Sequence, residues 1–322
     1  MNTFKKIGLS ALAGSLAAMS VNAADLSVTG GASLTFNGQD KTNAGNTWSM
    51  NDNMTFAGSA ELDMGWTVST SFLLDNSDGN ATQIFDDRSL TIDMNDAGSI
   101  KFDGYGGVSA MHSVDDMMPY AGTAGWDMMS VATASTQTRE GRITGTNSSN
   151  MMRYTLPGVV DGLAGAVSYV PSGANAQSST SFNLVYSGYE GLTVGYGADS
   201  NGAAAASGEI DTSTMFVKYA YGPVTFAYQQ SEDDAATVAA TDEWTAMGIS
   251  YTVSDDISVS YVETAYDMGD KTSDEETTTI SASYTMGSMS LTGTMNTIDN
   301  FAGSTDAIDD VSGYKLALAF VF

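Results

Sequence analysis

The sequence predicts an all-β fold: a transmembrane antiparallel up-and-down β-barrel of 16 strands, with its long third loop folded into the lumen. Three observations carry this. The chain ends on an amphipathic strand, it begins with an export leader, and apolar residues alternate with polar or small ones through the stretch between.

At the C-terminus, Tyr314, Leu316, Leu318, Phe320 and Phe322 lie two apart and share one face of a strand, while Lys315, Ala317, Ala319 and Val321 share the other. One face can meet hydrocarbon and the other a filled or wet interior. A half-buried last strand of a soluble β-protein has the same pattern, so the N-terminus decides. Lys5 and Lys6 precede an apolar stretch, 7–21, that closes on the small-residue cleavage pattern Val21, Asn22, Ala23. Ser10, Gly14, Ser15 and Ser20 dilute a segment already short for a spanning helix. Residues 1–23 are therefore expected to be a secretory signal peptide, and 24–322 a single transmembrane barrel.

Composition narrows the function classes. No stretch after Val21 approaches the roughly 20 apolar residues of a membrane helix, hydrophobic residues are 42% of the chain, and the mean hydropathy is −0.08. Helical membrane proteins are excluded. Gly 34, Tyr 15 and Pro 4 suit short strands and turns. Cysteine is absent, which removes disulfides, metal-thiolate sites and cysteine nucleophiles. Loss of Lys5 and Lys6 takes the formal charge from −27 to −29, because every Asp and Glu follows Ala24. Nucleic acid is not an expected partner, since phosphate binding needs clustered cations. An acidic surface instead concentrates cations.

Alternation marks the strands in order: 26–36, 54–64, 66–74, 88–94 and 99–104, then, after a long interruption, 151–156, 163–170, 180–186, 192–198 and 212–221. The last are 224–229, 243–253, 257–266, 277–286, 289–296 and 313–322. Short connections follow every even segment, as at Met64 and Gly65, Gly222 and Pro223, or Gly287 and Ser288, and longer ones follow the odd segments. An up-and-down meander with long outer loops and short periplasmic turns requires that order; Greek-key sandwiches do not. In lipid the sheet must close, because an open edge would leave amides unpaired.

Parity tests the assignment, because a Lys or Arg facing mid-membrane lipid costs about 2–4 kcal/mol. Lys101, Arg153, Lys218 and Lys315 each fall between outward apolar neighbours and so point to the lumen, with Glu61, Asp63, Asp93 and Asp103 on the same parity. Glu263 breaks the rule and is expected above the membrane or beside a bulge. Outward Tyr186, Tyr219, Tyr221, Tyr251 and Tyr284 lie near short turns, where an aromatic girdle belongs. Gly30, Ala32, Gly58 and Ala60 give the first two segments a small-residue outer surface suited to subunit contact.

Residues 105–150 show little sustained alternation, yet Met111, Met117, Met118, Tyr120, Trp126, Met128 and Met129 make the stretch too apolar for a solvated tail. Folded into the mouth, it would present Asp115 and Asp116 opposite Lys101, Arg153 and Lys218, setting a transverse field across the constriction. Arg139 and Arg142 lie within the insertion and serve either the constriction or the brace that holds it.

The signal peptide, the strand and loop order, the long third loop and the terminal Phe322 together resemble a 16-stranded general porin of the Gram-negative outer membrane, closest in style to the alphaproteobacterial porins. The resemblance implies a homotrimer and an inward third loop whose acids face an arginine-rich wall. It also implies that Phe322 is the aromatic signal read by the barrel-assembly machinery. This chain departs from it in having few arginines.

His112, the single histidine, has no neighbouring motif of a hydrolase and is expected to line the entrance. Acid pairs at Asp86 and Asp87, Asp233 and Asp234, Asp255 and Asp256, Glu275 and Glu276, and Asp309 and Asp310 are solvated loop charges or Ca²⁺ or Mg²⁺ ligands bridging loops or lipid phosphates. Gly104 to Gly107 and Gly195 to Gly197 resemble nucleotide loops, but no helix follows them. The expected function is passive diffusion of ions and small hydrophilic solutes with modest cation preference, without enzymatic chemistry, in contact with outer-membrane lipid and lipopolysaccharide. The rival readings are a substrate-specific channel and a non-transporting surface adhesin barrel.

Overall fold

The computed structural model describes residues 25–40, 46–75, 85–125, 141–171, 178–202, 209–235, 241–305 and 310–322. The expected signal peptide, Arg139, Trp126, Met128, Met129 and Asp309 lie outside the described residues. The strands are β1 (Asp25–Gln39), β2 (Thr47–Glu61), β3 (Thr67–Asp75), β4 (Asp87–Asp93), β5 (Ser99–Tyr105), β6 (Gly107–Val108), β7 (Asn147–Ser148), β8 (Met151–Thr155) and β9 (Leu163–Val170). They continue as β10 (Ser179–Tyr189), β11 (Leu192–Gly202), β12 (Glu209–Tyr221), β13 (Val224–Ala235), β14 (Asp242–Ser254), β15 (Ile257–Asp267), β16 (Glu275–Met286), β17 (Met289–Asp299) and β18 (Val311–Val321).

All but β6 and β7 form one closed antiparallel barrel of 16 strands in which each strand pairs with its neighbours in sequence and β18 returns to β1. β6 and β7 pair with each other as a short ribbon at the root of the third loop. Closure reaches the last residue: the Gly30 amide donates to the Phe322 carbonyl at 2.8 Å and the Phe322 amide to Gly30 at 2.9 Å. Parity stays in step across the seam, with Leu34 opposite Leu318 and Phe36 opposite Leu316. Two-residue turns join β10 to β11, β12 to β13, β14 to β15 and β16 to β17.

The expected girdle tyrosines face outward beside those turns, with Tyr219 opposite Phe226 and Tyr251 opposite Val224. At the loop end of the wall, Phe36 packs against Trp48 and Tyr314 with tilted rings, centroids 4.7 and 5.9 Å apart. Glu263 keeps regular register between Met247 and Thr278, so no bulge accompanies it. Its carboxylate accepts the Tyr261 hydroxyl.

The strand boundaries differ from the sequence reading in a systematic way. β13 runs on to Ala235 where alternation ends at Gln229, because Ser231 and Asp233 inward and Glu232 and Asp234 outward are all polar. The hydrogen-bond ladder continues above the apolar band, where no hydropathy contrast marks it. β2 begins at Thr47, seven residues before its expected start at Met54, since Asn51, Asp52 and Asn53 interrupt the pattern. It ends at Glu61, which leaves Asp63 in the turn and off the lumen-facing ladder.

Candidate functional site

Chain laid against the inner wall of a barrel must find partners for its own amides. The third loop does so strand by strand. Leaving β5, it sends the Ala110 and Met111 amides to the hydroxyls of Ser168 on β9 and Ser181 on β10, at 3.0 and 2.8 Å. Asn183 donates to the Ala110 carbonyl, and Gln229 on β13 both donates to Val114 and accepts from Met117. Further round, the amides of Ala121, Gly122 and Thr123 donate to Ser260 on β15, Ser281 on β16 and Thr294 on β17, at 2.8, 3.0 and 3.2 Å. Asn296 donates to Gly125 at 3.0 Å. A Cβ on Gly125 would stand 2.2 Å from Thr279 Oγ1, so only glycine lets the loop lie this close.

An apolar seat fixes the middle of this strap. Met118 and Ile143 of the loop pack with Ala227, Trp244, Ala246, Val262 and Tyr266 of β13 to β15, and Tyr120 packs against the group. These wall residues point inward, where a barrel is ordinarily polar. Trp244 and Val262 are fully buried, each burial being worth about 1.5–3 kcal/mol. On β11, Gly197 opens the space that Met111 and Val114 occupy, both within 3.2 Å of where its Cβ would stand.

Asp115 is 1% exposed. It accepts from Arg142 and from the Gly145 amide at 3.0 Å, and so ties the outgoing arm of the loop to the returning one. His112 Nδ1 lies 3.1 Å from the Gly145 carbonyl and 3.3 Å from Asp115 Oδ2. A ring nitrogen between two acceptor oxygens carries the proton and donates. His112 thus belongs to the brace. Asp116, the next residue, is exposed.

The wall cations do not converge opposite Asp115 as the sequence reading had it. Lys101 and Arg153 face each other across β5 and β8 at the loop's root. Lys101 pairs with Asp103 at 2.7 Å, and Arg153 donates to the loop hydroxyl of Ser113 at 3.0 Å. Lys218 lies on β12, four residues turnward of Thr214 and on the wall that the loop covers. Opposite the loop, the inward positions of β1 to β4 are chiefly Ser, Thr and Asn, among them Thr35, Ser49, Asn51, Ser71 and Thr91. The arginine-rich face implied by the resemblance is replaced there by hydroxyls and amides.

Two of the acid pairs are divided by the pleat. Asp233 points inward and accepts the Thr212 hydroxyl at 2.8 Å while Asp234 points outward; Glu275 accepts the Ala302 amide at 2.9 Å while Glu276 points outward. Neither pair can close on one ion. No group of three or more His, Cys, Asp or Glu among the described residues is disposed to hold a metal.

The chain folds as a closed 16-stranded barrel with its third loop strapped inside, and the family model for Gram-negative porins matches residues 8–303. The chain belongs to the Gram-negative porin family. It is an outer-membrane porin. Among solved structures, the anion-selective porin from Comamonas acidovorans superposes with a TM-score of 0.70 at 14% identity, covering 93% of this chain and 100% of that one. Salmonella typhi OmpF in complex with daunomycin gives 0.68 at 15%, covering 94% and 99%. OmpT of Vibrio cholerae gives 0.64 at 12%, covering 93% and 98%. At these identities the likeness shows the fold alone. No curated protein matches the chain.

Sequence reasoning missed several residues that build this porin's neck. Asp199 on β11 is buried and holds the returning arm, taking the Thr146 amide at 2.8 Å and its hydroxyl at 2.9 Å. It lies on the inward parity of Gly195 and Gly197, one residue past the expected strand end. Trp244, Ala246, Val262 and Tyr266 did carry a signal, since they put apolar side chains on lumen parity of β14 and β15 and so need an apolar partner inside.

Proposed function

We propose that this porin passes ions and small hydrophilic solutes by passive diffusion, performs no chemistry, and prefers cations modestly. The observation that supports the preference is the asymmetry of the neck. The loop presents exposed Asp116, its neighbour Asp115 is consumed by the brace, and the facing wall offers hydroxyls and amides instead of an arginine cluster. Lys101 and Arg153 are each engaged, with Asp103 and Ser113, and Lys218 lies turnward of the loop. A cation then meets acids on the loop side and, on the facing wall, hydroxyls and amides without an arginine cluster to repel it. Zero-current potentials across a planar bilayer in a KCl gradient test this, with the sign of a cation-selective pore expected and the anion-selective sign refuting it.

The assembly reading follows from the outer wall of β1 and β2. Gly30, Ala32, Gly58 and Ala60 form a smooth surface, and Asp52 stands outward between Met50 and Met54, where hydrocarbon would exclude a carboxylate. A homotrimer that packs this wall against a second subunit accounts for both. Export by the 1–23 signal peptide, reading of Phe322 by the barrel-assembly machinery, and surrounding lipid and lipopolysaccharide complete the proposal.

A further inference from the structure

Ile298 on β17 and Val311 on β18 are apolar where the interior of a channel is ordinarily polar. They oppose each other in the ladder and are 0% and 1% exposed. Both face the lumen. Asn296, two residues before Ile298, reaches the third loop at Gly125, and Val311 shares the parity of Lys315. What covers the pair is the chain that leaves β17: Phe301 and Ala302 pack with Ile298 and Val311 in one buried cluster, and Gly303 is buried beside them.

Polar contacts fix the path of this segment. Instead of passing straight to β18, it bends over β16, where the Ala302 amide donates at 2.9 Å to the carboxylate of Glu275, a buried residue on the inward parity of Thr277 and Thr279. The Asn300 side chain donates to the Asp274 carbonyl and its amide to Asp310, both at 3.1 Å. From the preceding outer loop, the Lys271 Cβ and Cγ lie 2.6 Å from where a Cβ on Gly303 would stand. Asn300 and Ala302 hold φ of 53° and 54°, the left-handed region that an alanine rarely enters. Such a conformation persists where its surroundings over-determine it. Glu275 on one side and the apolar pair on the other do so here.

Ile298 follows Asn296 toward the outer end of β17 by two residues, about 7 Å along a strand. The buried segment therefore lies inside the wall, above the third loop and on the side of the lumen where that loop meets β17. We propose that Phe301–Gly303 is a second constriction, seated on Ile298 and Val311, which limits the size of solutes that enter from the outer face. The inference rests on the passive-diffusion reading and adds to it a place, separate from the third loop, where solutes are sorted by size.

The test compares the parent porin with Phe301→Ala and, separately, Ala302→Pro, which has no amide for Glu275 and cannot take a positive φ. In liposome swelling with sugars from a pentose to a tetrasaccharide, both variants should admit the tetrasaccharide severalfold faster, relative to the pentose, than the parent does. Either variant decides the matter if the other fails to fold. The chain lacks cysteine, so Ile298→Cys reports the cover directly. A membrane-impermeant maleimide should label it slowly, and severalfold faster once Phe301→Ala is added. Unchanged relative sugar rates in the folded variants, or rapid labelling of Ile298→Cys with Phe301 in place, would overturn the inference while the channel stands. A parent that admits no sugar at all would instead sink the diffusion reading, and this inference with it.

Discussion

Arg142 donates to the carboxylate of Asp115 from the returning arm of the same loop, so the ion pair is internal to the insertion and spans no part of the lumen. The consequence is a division of labour between adjacent residues, in which Asp115 holds the loop's shape and Asp116 carries its exposed charge.

Replacing Asp116 with Asn should therefore reduce the zero-current potential. A unit charge a few ångströms from a passing ion is worth about 1 kcal/mol in water, which is a several-fold change in the cation-to-anion ratio. Reversal potentials in a salt gradient measure it. An unchanged ratio would assign selectivity to other acids of the lumen.

Asp115→Asn has a different signature. It leaves the half-buried Arg142 guanidinium without its counter-charge, a loss of about 3–5 kcal/mol for a buried pair. The barrel's hydrogen-bond ladder is untouched, so the thermal unfolding of the barrel should hold while open-channel current noise rises as the loop loosens. Single-channel recording beside a thermal melt separates the two effects.

Trp244→Ala removes the largest side chain under the loop and should cost about 3–5 kcal/mol of local packing. Conductance should rise as Met118 and Tyr120 lose their seat. A variant that kept the parent conductance would show that the hydroxyl strap alone positions the loop.

Ala32→Trp projects a large ring from the smooth wall of β1. The expected result is a folded barrel that runs as a monomer in mild detergent where the parent runs as a trimer. A trimer that survived the change would exclude this wall from the interface.

Much of the fold was legible because a barrel strand is read by a local rule, the alternation of side chains between lipid and lumen. Lys101, Arg153, Lys218 and Lys315 obey that rule, and the structure places all four inward. The rule fails where contrast disappears, as at Asn51 to Asn53 of β2 or beyond Gln229 of β13. The site was legible only in outline. Ser260, Ser281 and Thr294 are ordinary lumen-facing hydroxyls in sequence, and they act as a strap only because the loop comes to them across separations of 139 to 171 residues. Asp115 looked like Asp116 for the same reason, since Arg142, which distinguishes them, is reached through folding of the whole insertion.

The third loop lies inside the barrel against β15, where it narrows the lumen. The chain lacks cysteine, so Ala121→Cys with Ser260→Cys makes a clean probe, the Ala121 amide being 2.8 Å from Ser260 Oγ. Single-channel steps of this double variant should form in planar bilayers and keep the same size whether the disulfide is oxidised or reduced, with the cross-link forming readily. Failure of the cross-link to form, or a large change in step size on reduction, would contradict a loop strapped at this place.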